Sequence, residues 1–187
     1  MMAPKPPSQP ELVCLIGAEC TGKTTLAQAL AARMDGLWVP EYLRDFTDQH
    51  GRTPQQQEQL HIVQQQVLLE TQALERARQQ QRAWVFCDTA PLLTAVYSEC
   101  VFGDTSLYPQ AQALHARYVL TLLLEPDLPW QADGPQRDGV EMRAKVHTAL
   151  ECVLAQHDWP VVRIAGSQDH RLQATVQAVL RATQLPP

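Results

Sequence analysis

Short apolar runs alternate with longer segments of mixed apolar and polar residues along the chain. The runs cover residues 12–17, 37–40, 83–88, 118–125 and 161–165. Brief, mostly apolar runs of this kind are typical of strands that are buried on both faces of a parallel sheet. The pattern therefore predicts five strands.

The segments between these runs have the apolar spacing of helices. Helices are expected over residues 23–34, 54–82, 91–101, 140–157 and 169–183. In the longest segment, Pro54 suits the first turn of a helix. Leu60, Val63, Val67 and Leu74 are spaced as one apolar stripe among many glutamines, which favours an amphipathic helix over a low-complexity segment.

The alternation of strand and helix predicts an α/β fold with three layers, in which helices cover both faces of a mainly parallel, five-stranded sheet. A chain of 187 residues without an evident linker is expected to form one domain, here residues 11–185. The first ten residues contain four prolines and are expected to be a disordered, extended tail. Residues 126–143 have the composition of a lid over a ligand site.

Composition narrows the range of partners. Fifteen Lys and Arg residues against 20 Asp and Glu residues give a formal net charge of −5, which argues against general binding of nucleic acid. No run of 18 apolar residues and no secretory signal pattern occurs. The five cysteines are odd in number and include no Cys-x-x-Cys pair, which favours reduced thiols. We therefore expect a cytoplasmic protein with neither a nucleic acid nor a membrane as partner.

The residues after the first predicted strand match the phosphate-binding pattern G-x-x-x-x-G-K-[ST], and a helix is predicted directly after them. They are Gly17, Ala18, Glu19, Cys20, Thr21, Gly22, Lys23 and Thr24, followed by Thr25. Glycines permit the turn and a close backbone approach, and the N–H groups at a helix N-terminus attract phosphate. This segment, the P-loop, is expected to bind the nucleotide. The alternative is a glycine turn with an incidental Lys-Thr pair.

Individual P-loop side chains have expected roles. Lys23 should reach the β- and γ-phosphates, where it would act in catalysis, and the Thr24 hydroxyl should bind Mg²⁺. Cys20 occupies a variable position, where an ordinary loop residue is favoured over a reactive thiolate.

Two acidic residues follow predicted strands at the edge of the sheet where such folds bind ligands. Asp88 ends one strand and is expected to hold the metal together with Thr24. Glu41 follows another strand, and either carboxylate can accept the proton of an acceptor hydroxyl. The alternatives are a solvated acid for Glu41 and a helix cap before Pro91 for Asp88.

Arginines and aromatic residues complete the candidate site. Arg137 is the expected lid arginine, since a mobile cation stabilises charge on a transferred phosphoryl group. Arg143 is either a second lid cation or a solvated charge. Arg44 either anchors the acceptor or pairs with Glu41. Tyr42 and Trp130 are candidates for stacking on a base or pyridine ring.

The class of P-loop protein follows partly from what the chain lacks. Guanine-specific GTPases commonly carry an Asn-Lys-x-Asp signature, and this chain contains no asparagine. The chain is also short for a motor or ring ATPase, so a small phosphotransferase that uses ATP and Mg²⁺ fits better.

Several segments in order resemble the ribosylnicotinamide kinase domain of the NadR family, a P-loop NTPase domain of the AAA_28-like kind. The P-loop with Thr25 and Leu26 is the first. The others are residues 41–46 (Glu-Tyr-Leu-Arg-Asp-Phe), 86–89 (Phe-Cys-Asp-Thr), 94–97 (Thr-Ala-Val-Tyr) and 122–130 (Leu-Leu-Leu-Glu-Pro-Asp-Leu-Pro-Trp), with Asp133 and Gly134 after them.

The resemblance implies ATP-dependent phosphorylation of the ribose 5′-hydroxyl of nicotinamide riboside, which gives nicotinamide mononucleotide. It places Lys23 and Thr24 with nucleotide and magnesium, Glu41 and Arg44 with the acceptor, Asp88 with the metal and catalysis, and Arg137 in the lid. A kinase for another nucleoside or vitamin alcohol, and a nucleotide-dependent regulatory ATPase, are the alternatives.

The chain departs from the family pattern in two places. Cys20 stands where the family has a serine-like residue, and Pro135 and Gln136 separate Asp133-Gly134 from Arg137, which shifts the lid arginine by one position. Members of this family can also carry a DNA-binding segment and an adenylyltransferase domain. Because about ten residues precede the first predicted strand, we expect neither in this chain.

Overall fold

Strands and helices alternate along the chain in the computed structural model, which describes residues 9–129 and 139–182. The strands are β1 (Glu11–Ile16), β2 (Leu37–Val39), β3 (Trp84–Asp88), β4 (Tyr118–Leu124) and β5 (Val161–Ile164). The helices are α1 (Lys23–Arg33), α2 (Tyr42–His50), α3 (Gln59–Gln79), α4 (Pro91–Phe102), α5 (Tyr108–His115), α6 (Gly139–Leu154) and α7 (Gln168–Ala182). The five predicted strands are confirmed.

The five strands form one parallel sheet in the order β2-β3-β1-β4-β5. β1 is central, and the chain moves to one side of it for β3 and to the other side for β4. The strand order therefore reverses at β1, and ligands of open α/β sheets bind at the carboxyl ends of the strands where this reversal occurs. The P-loop follows β1 at this edge.

The two faces of the sheet bury separate apolar clusters. Val13 and Leu15 of β1 pack on one face with residues of α1 and α7. Cys14 and Ile16 point to the other face, where α3, α4, α5 and α6 supply the cluster. Because successive strand residues point to opposite faces, an uninterrupted apolar strand serves both clusters. The predicted three-layer architecture is confirmed.

Two helices are missing from the sequence-based prediction. α2 and α5 are short, at nine and eight residues. Each contains too few apolar residues for a helical period to be recognised. The long predicted helix is correct in type but too long at both ends. It begins at Gln59 after a 3₁₀ turn (Gln56–Glu58) and ends at Gln79.

The buried face of α3 differs from the predicted apolar stripe. Val63 is buried as expected, but Leu60 is 41% exposed. Polar Gln66 and Glu70 are buried instead, because α2 and β4 provide hydrogen-bond partners for them. Burial of polar side chains with partners carries little penalty, and hydropathy alone does not reveal such partners.

Some sequence-based predictions lie outside the described residues. Most of the expected N-terminal tail, residues 1–8, and the centre of the expected lid, residues 130–138, belong to this group, and so do Trp130 and Arg137. Among the helices of the described ranges, none has the length and apolar character that crossing a bilayer requires.

Candidate functional site

The P-loop connects β1 to α1 through a strained turn. Gly22 immediately precedes α1 with φ of +81°, a conformation that side chains with a β-carbon rarely adopt. Gly17 is required for space, since a β-carbon there would lie 2.9 Å from the carbonyl oxygen of Leu124. Cys20 adopts φ of +54° without being glycine. Local strain of this kind is typical of a ligand site.

Side chains of the P-loop hold its own backbone. The ammonium group of Lys23 donates to the carbonyl oxygens of Gly17 at 3.0 Å and Ala18 at 3.1 Å. The hydroxyl of Thr21 donates to the carbonyl of Ala18 at 2.9 Å. The loop is thus closed around Lys23, which places a cation where phosphate charge would accumulate.

Two buried arginines donate hydrogen bonds to backbone carbonyls of the same loop. Arg171 of α7, which is 3% exposed, donates to the carbonyl of Thr21 at 2.6 Å and also pairs with Asp127. Arg143 of α6 donates to the carbonyls of Cys20 at 3.3 Å and Leu128 at 3.0 Å. The interpretation of Arg143 as a solvated charge is wrong, because the residue is only 7% exposed.

Asp88 and Thr24 form the metal-site candidate. Asp88 ends β3 beside the end of β1, and the Thr24 hydroxyl donates to its Oδ2 at 2.6 Å. Its Oδ1 is buried and has no hydrogen-bond partner among the described residues, although a buried carboxylate oxygen needs one. A carboxylate and a hydroxyl suit Mg²⁺, which usually takes one or two carboxylates and completes its shell with phosphate oxygens and water. The residues present therefore fit a magnesium ion.

The described residues contain no larger cluster of metal-binding side chains than this pair. Within residues 9–129 and 139–182, three or more His, Cys, Asp or Glu side chains do not converge in a metal-binding arrangement.

Glu41 lies after β2 and faces the same edge of the sheet. The Thr89 hydroxyl donates to its Oε1 at 3.4 Å, and the Arg44 Nε lies 4.0 Å from its Oε2. Burial raises the pKa of Glu41 above its ordinary value and the charge of Asp88 adds to this effect, while Lys23, Arg44 and Thr89 oppose it. A carboxylate with a raised pKa near two cations is typical of a general base.

A cleft of about 770 Å³ is lined by groups of this site. Residues 19–25 of the P-loop, Glu41 and Arg44 supply the polar part of its lining. Another part is mostly apolar and aromatic, with side chains from α2, α3, α4 and the segment before α3; these include Leu43, Pro54, Gln59, Leu93, Tyr97 and Phe102. The lining therefore combines groups suited to an anion with groups suited to a flat, mostly apolar molecule.

Tyr42 does not line this cleft among the described residues. Its hydroxyl lies 3.2 Å from Nε2 of His61, and the two rings meet edge to face. Arg44 lines the cleft and stands beside Glu41, as the second alternative expected, whereas its contact with an acceptor stays a prediction.

Sequence reasoning missed several residues of the site. Thr89 has φ of +83° and contacts Glu41, yet its sequence signal was only its position after Asp88. Gln59, Tyr97 and Phe102 line the cleft, and the helical pattern does not distinguish them from core or surface residues. Arg171 carries no motif, because its role depends on the contact between α7 and the P-loop.

Comparison with known proteins supports the resemblance to NadR. The chain is 29% identical over 138 residues to the trifunctional NAD biosynthesis/regulator protein NadR of Salmonella typhimurium, which corresponds to 74% of this chain and 34% of that protein. The chain thus spans about a third of the length of this curated relative.

Solved structures agree on the fold. Crystal structures of NadR protein with NR, and with NAD and AMP-PNP, superpose with TM-scores of 0.74 and 0.77 at 22% identity. Each alignment covers 95% of this chain and about half of NadR, 52% and 51% respectively. Thymidylate kinase from Ehrlichia chaffeensis superposes with a TM-score of 0.65 at 16% identity, over 94% of this chain and 100% of that one. The predicted P-loop kinase fold is confirmed.

A family model that matches most of the chain identifies its family. The family model AAA_28, described as an AAA domain, matches residues 12–171, a range that contains the P-loop, Glu41, Asp88 and both buried arginines. Since this match spans well over half of the sequence, the chain belongs to the AAA_28 family of AAA domains.

Proposed function

We propose that this protein is an ATP-dependent kinase that phosphorylates the ribose 5′-hydroxyl of nicotinamide riboside. The observation that carries the proposal is the single cleft in which the P-loop, Glu41 and an apolar, aromatic pocket meet. A phosphoryl donor at one end and a nucleoside-like acceptor at the other would meet beside Glu41. The NadR relative, and the crystal structures of NadR protein with NR and with NAD and AMP-PNP, support this choice of acceptor and donor.

Each residue has a defined part in the proposed reaction. Lys23 and the P-loop amides bind the triphosphate and orient its terminal phosphate. Glu41 accepts the proton of the acceptor hydroxyl as that oxygen attacks the terminal phosphorus of ATP, whose bond to the β-phosphate oxygen breaks to release ADP. Asp88 and the Thr24 hydroxyl would hold Mg²⁺, which neutralises phosphate charge when it is bound. We further propose that the reaction takes place in the cytoplasm, where ATP is abundant.

Other parts of the sequence-based site remain proposals. Arg137 is proposed as the lid arginine and Arg44 as a contact to the acceptor. Trp130 and Tyr42 are proposed to contact the acceptor ring, although the place of Tyr42 beside His61 makes a direct contact depend on movement of α2.

Mass-spectrometric product detection tests the proposal. The protein is incubated with ATP, Mg²⁺ and a nucleoside panel led by nicotinamide riboside, and we expect equal amounts of ADP and nicotinamide mononucleotide. The control variant Lys23→Ala should lose at least about 100-fold in rate and keep its Tm, since Lys23 contacts only loop carbonyls among the described residues. If the protein phosphorylates a different nucleoside and not nicotinamide riboside, that nucleoside is the acceptor. ADP release that no acceptor accelerates would indicate a regulatory ATPase instead.

A further inference from the structure

Helix α2 begins without a cap from its own first residues. Glu41 occupies the N-cap position with an extended backbone, and its side chain makes no capping hydrogen bond. An N-cap side chain usually accepts a hydrogen bond from an N–H group of the first turn. The Glu41 carboxyl lies instead beside Thr89 and Arg44 in the cleft. The helix therefore needs an acceptor from elsewhere.

Gln66 of α3 supplies an acceptor. Its Oε1 accepts a hydrogen bond from the backbone N–H of Tyr42, the first residue of α2, at 2.9 Å. The Gln66 side chain is buried, with 2% exposure. Loss of this contact would leave two polar groups, the Gln66 Oε1 and the Tyr42 N–H, without a hydrogen bond, which is energetically unfavourable.

A buried carboxylate fixes the orientation of the Gln66 amide. The Gln66 Nε2 donates to Oε1 of Glu70 at 3.4 Å. Glu70 is fully buried and is itself held by the Tyr118 hydroxyl at 2.7 Å and by Arg117 Nη2 at 2.5 Å. With Nε2 directed to the carboxylate, the amide oxygen must face Tyr42. A flipped amide would bring an N–H donor against another N–H donor.

We propose that Gln66 is a positioning residue for phosphoryl transfer, which caps α2 from the neighbouring helix and thereby leaves the Glu41 carboxyl free to face the acceptor. The inference rests on the proposed kinase function. Without Gln66, the N–H of Tyr42 loses its acceptor, and the start of α2 loses its contact with α3. Because Glu41 directly precedes Tyr42, a shift of this first turn would move the Glu41 carboxyl away from its place in the cleft.

The first test is Gln66→Met, which keeps the length of the side chain and removes the acceptor. We expect kcat with nicotinamide riboside to fall about 10-fold, while the Kd for AMP-PNP from calorimetry changes less than about 2-fold. The control is Gln64→Met on the exposed side of the same helix, which should leave both values unchanged. An unaltered kcat in Gln66→Met would overturn the proposal.

A double-mutant cycle separates capping from general packing. Tyr42→Pro removes the N–H group at the first helical position, where proline is well tolerated, and the extended Glu41 suits a following proline. Tyr42→Ala removes the same phenol but keeps the N–H. Gln66→Met should lower kcat about 10-fold when it is added to the Tyr42→Ala variant, and less than about 3-fold when it is added to the Tyr42→Pro variant. Equal losses in both backgrounds would overturn the proposal.

Hydrogen exchange distinguishes failure of this proposal from failure of the proposed function. Gln66→Met should speed exchange of the Tyr42 amide in the full chain whatever the enzyme acts on. Unchanged exchange of this amide would refute the capping contact. Absence of phosphorylated product from the unaltered protein would refute the kinase function, and with it the part of Gln66 in catalysis.

Discussion

Thr89 holds a backbone conformation that β-branched residues rarely adopt, with φ of +83°. Its N–H donates to the carbonyl of Leu15 at 2.9 Å, and its hydroxyl donates to Glu41. The first contact ties the end of β3 to the end of β1, and the second orients a candidate base. Strain at a single residue persists when its surroundings determine the conformation, and these two contacts do so here.

Substitution of Glu41 tests its role as the base. Glu41→Gln should lower kcat at least about 100-fold with little change in nucleotide affinity. In the unaltered enzyme the rate should fall as pH decreases through the pKa of Glu41, which burial raises above its ordinary value, because the protonated carboxyl cannot accept a proton. Profiles of kcat between pH 4 and 9 measure this fall. If Glu41→Gln shows the same fall in rate at low pH, the titrating group is a residue other than Glu41.

Asp88 provides a separate test of metal binding. Asp88→Asn keeps an oxygen acceptor for the Thr24 hydroxyl, so Tm should change little, but the loss of charge should raise the Mg²⁺ concentration needed for half-maximal rate. We expect an increase of about 10- to 100-fold, measured by magnesium titration at saturating ATP. The same magnesium dependence in both proteins would show that Asp88 is a structural partner of Thr24.

At the level of elements, three sets of contacts hold the P-loop. β1 and α1 fix its ends, Lys23 binds carbonyls at its start, and Arg143 and Arg171 bind carbonyls further along it. These side-chain donors restrict the backbone of the loop. A loop organised in this way before binding loses little conformational freedom when phosphate enters.

A methyl group at Gly17 should disturb this arrangement. Gly17→Ala places a β-carbon 2.9 Å from the Leu124 carbonyl, so the loop must shift, at about 1–3 kcal/mol of unfolding free energy. Nucleotide affinity should fall with it. Gly51→Ala is the control, because its φ of +67° strains any side chain but no described atom lies within 4 Å. Urea unfolding and calorimetry measure both properties, and nucleotide affinity preserved in Gly17→Ala would contradict the expected shift.

Across the whole molecule, α7 joins the nucleotide loop to the segments after β4 and β5. Arg171 donates to the carbonyls of Thr21, Glu125 and Gly166 and pairs with Asp127. One buried guanidinium thus satisfies groups from three separate segments. Arg171 therefore links the P-loop to Asp127 at the start of the expected lid.

Loss of this guanidinium should destabilise the whole protein. Arg171→Met leaves the buried carbonyl of Thr21 and two part-buried carbonyls without this donor, and we expect the free energy of unfolding to fall by about 3 kcal/mol. Arg163→Met is the control, since Arg163 pairs with Glu125 and Glu151 on the surface and exposed ion pairs contribute at most about 1 kcal/mol. Chemical denaturation measures the free energy of unfolding of both variants. Equal decreases in the two would show that Arg171 contributes no more than a surface ion pair.

His115 should make global stability depend on pH. It is 1% exposed, bonds the Thr121 hydroxyl and packs on Trp159, and burial lowers its pKa from 6.5 to about 4. Between these values the unfolded chain binds a proton that the native protein does not. The stability from the neutral imidazole is therefore complete above about pH 6.5 and is lost as pH falls toward 4, by about 3 kcal/mol in all.

The comparison with His115→Gln isolates this effect. The raised pKa values of Glu41 and Glu70 act in the opposite direction, but they are common to both proteins and cancel in the difference. Urea unfolding between pH 4.5 and 7 measures it. A difference that does not change with pH would mean that His115 has the same pKa in the folded and unfolded proteins.

The sequence alone determined the strands, the P-loop and the place of Asp88. Each of these depends on neighbours in the chain: an apolar run, a glycine pattern and a carboxylate at the end of a strand. The same local reasoning failed for α2 and α5, because short helices have few apolar positions from which a period can be recognised. It also assigned Leu60 to the buried face of α3, since hydropathy favours leucine over glutamine.

Only the tertiary structure decided which polar groups are partners. Gln66 appears in sequence as one glutamine among many, and Arg143 as one helical cation, yet each meets a backbone group of a distant segment. A buried polar side chain is stable only beside such a partner, and the partner is brought to it by the packing of helices on the sheet. Hydrophobic pattern and glycine spacing act within a few residues, whereas hydrogen bonds between segments exist only after the chain has folded.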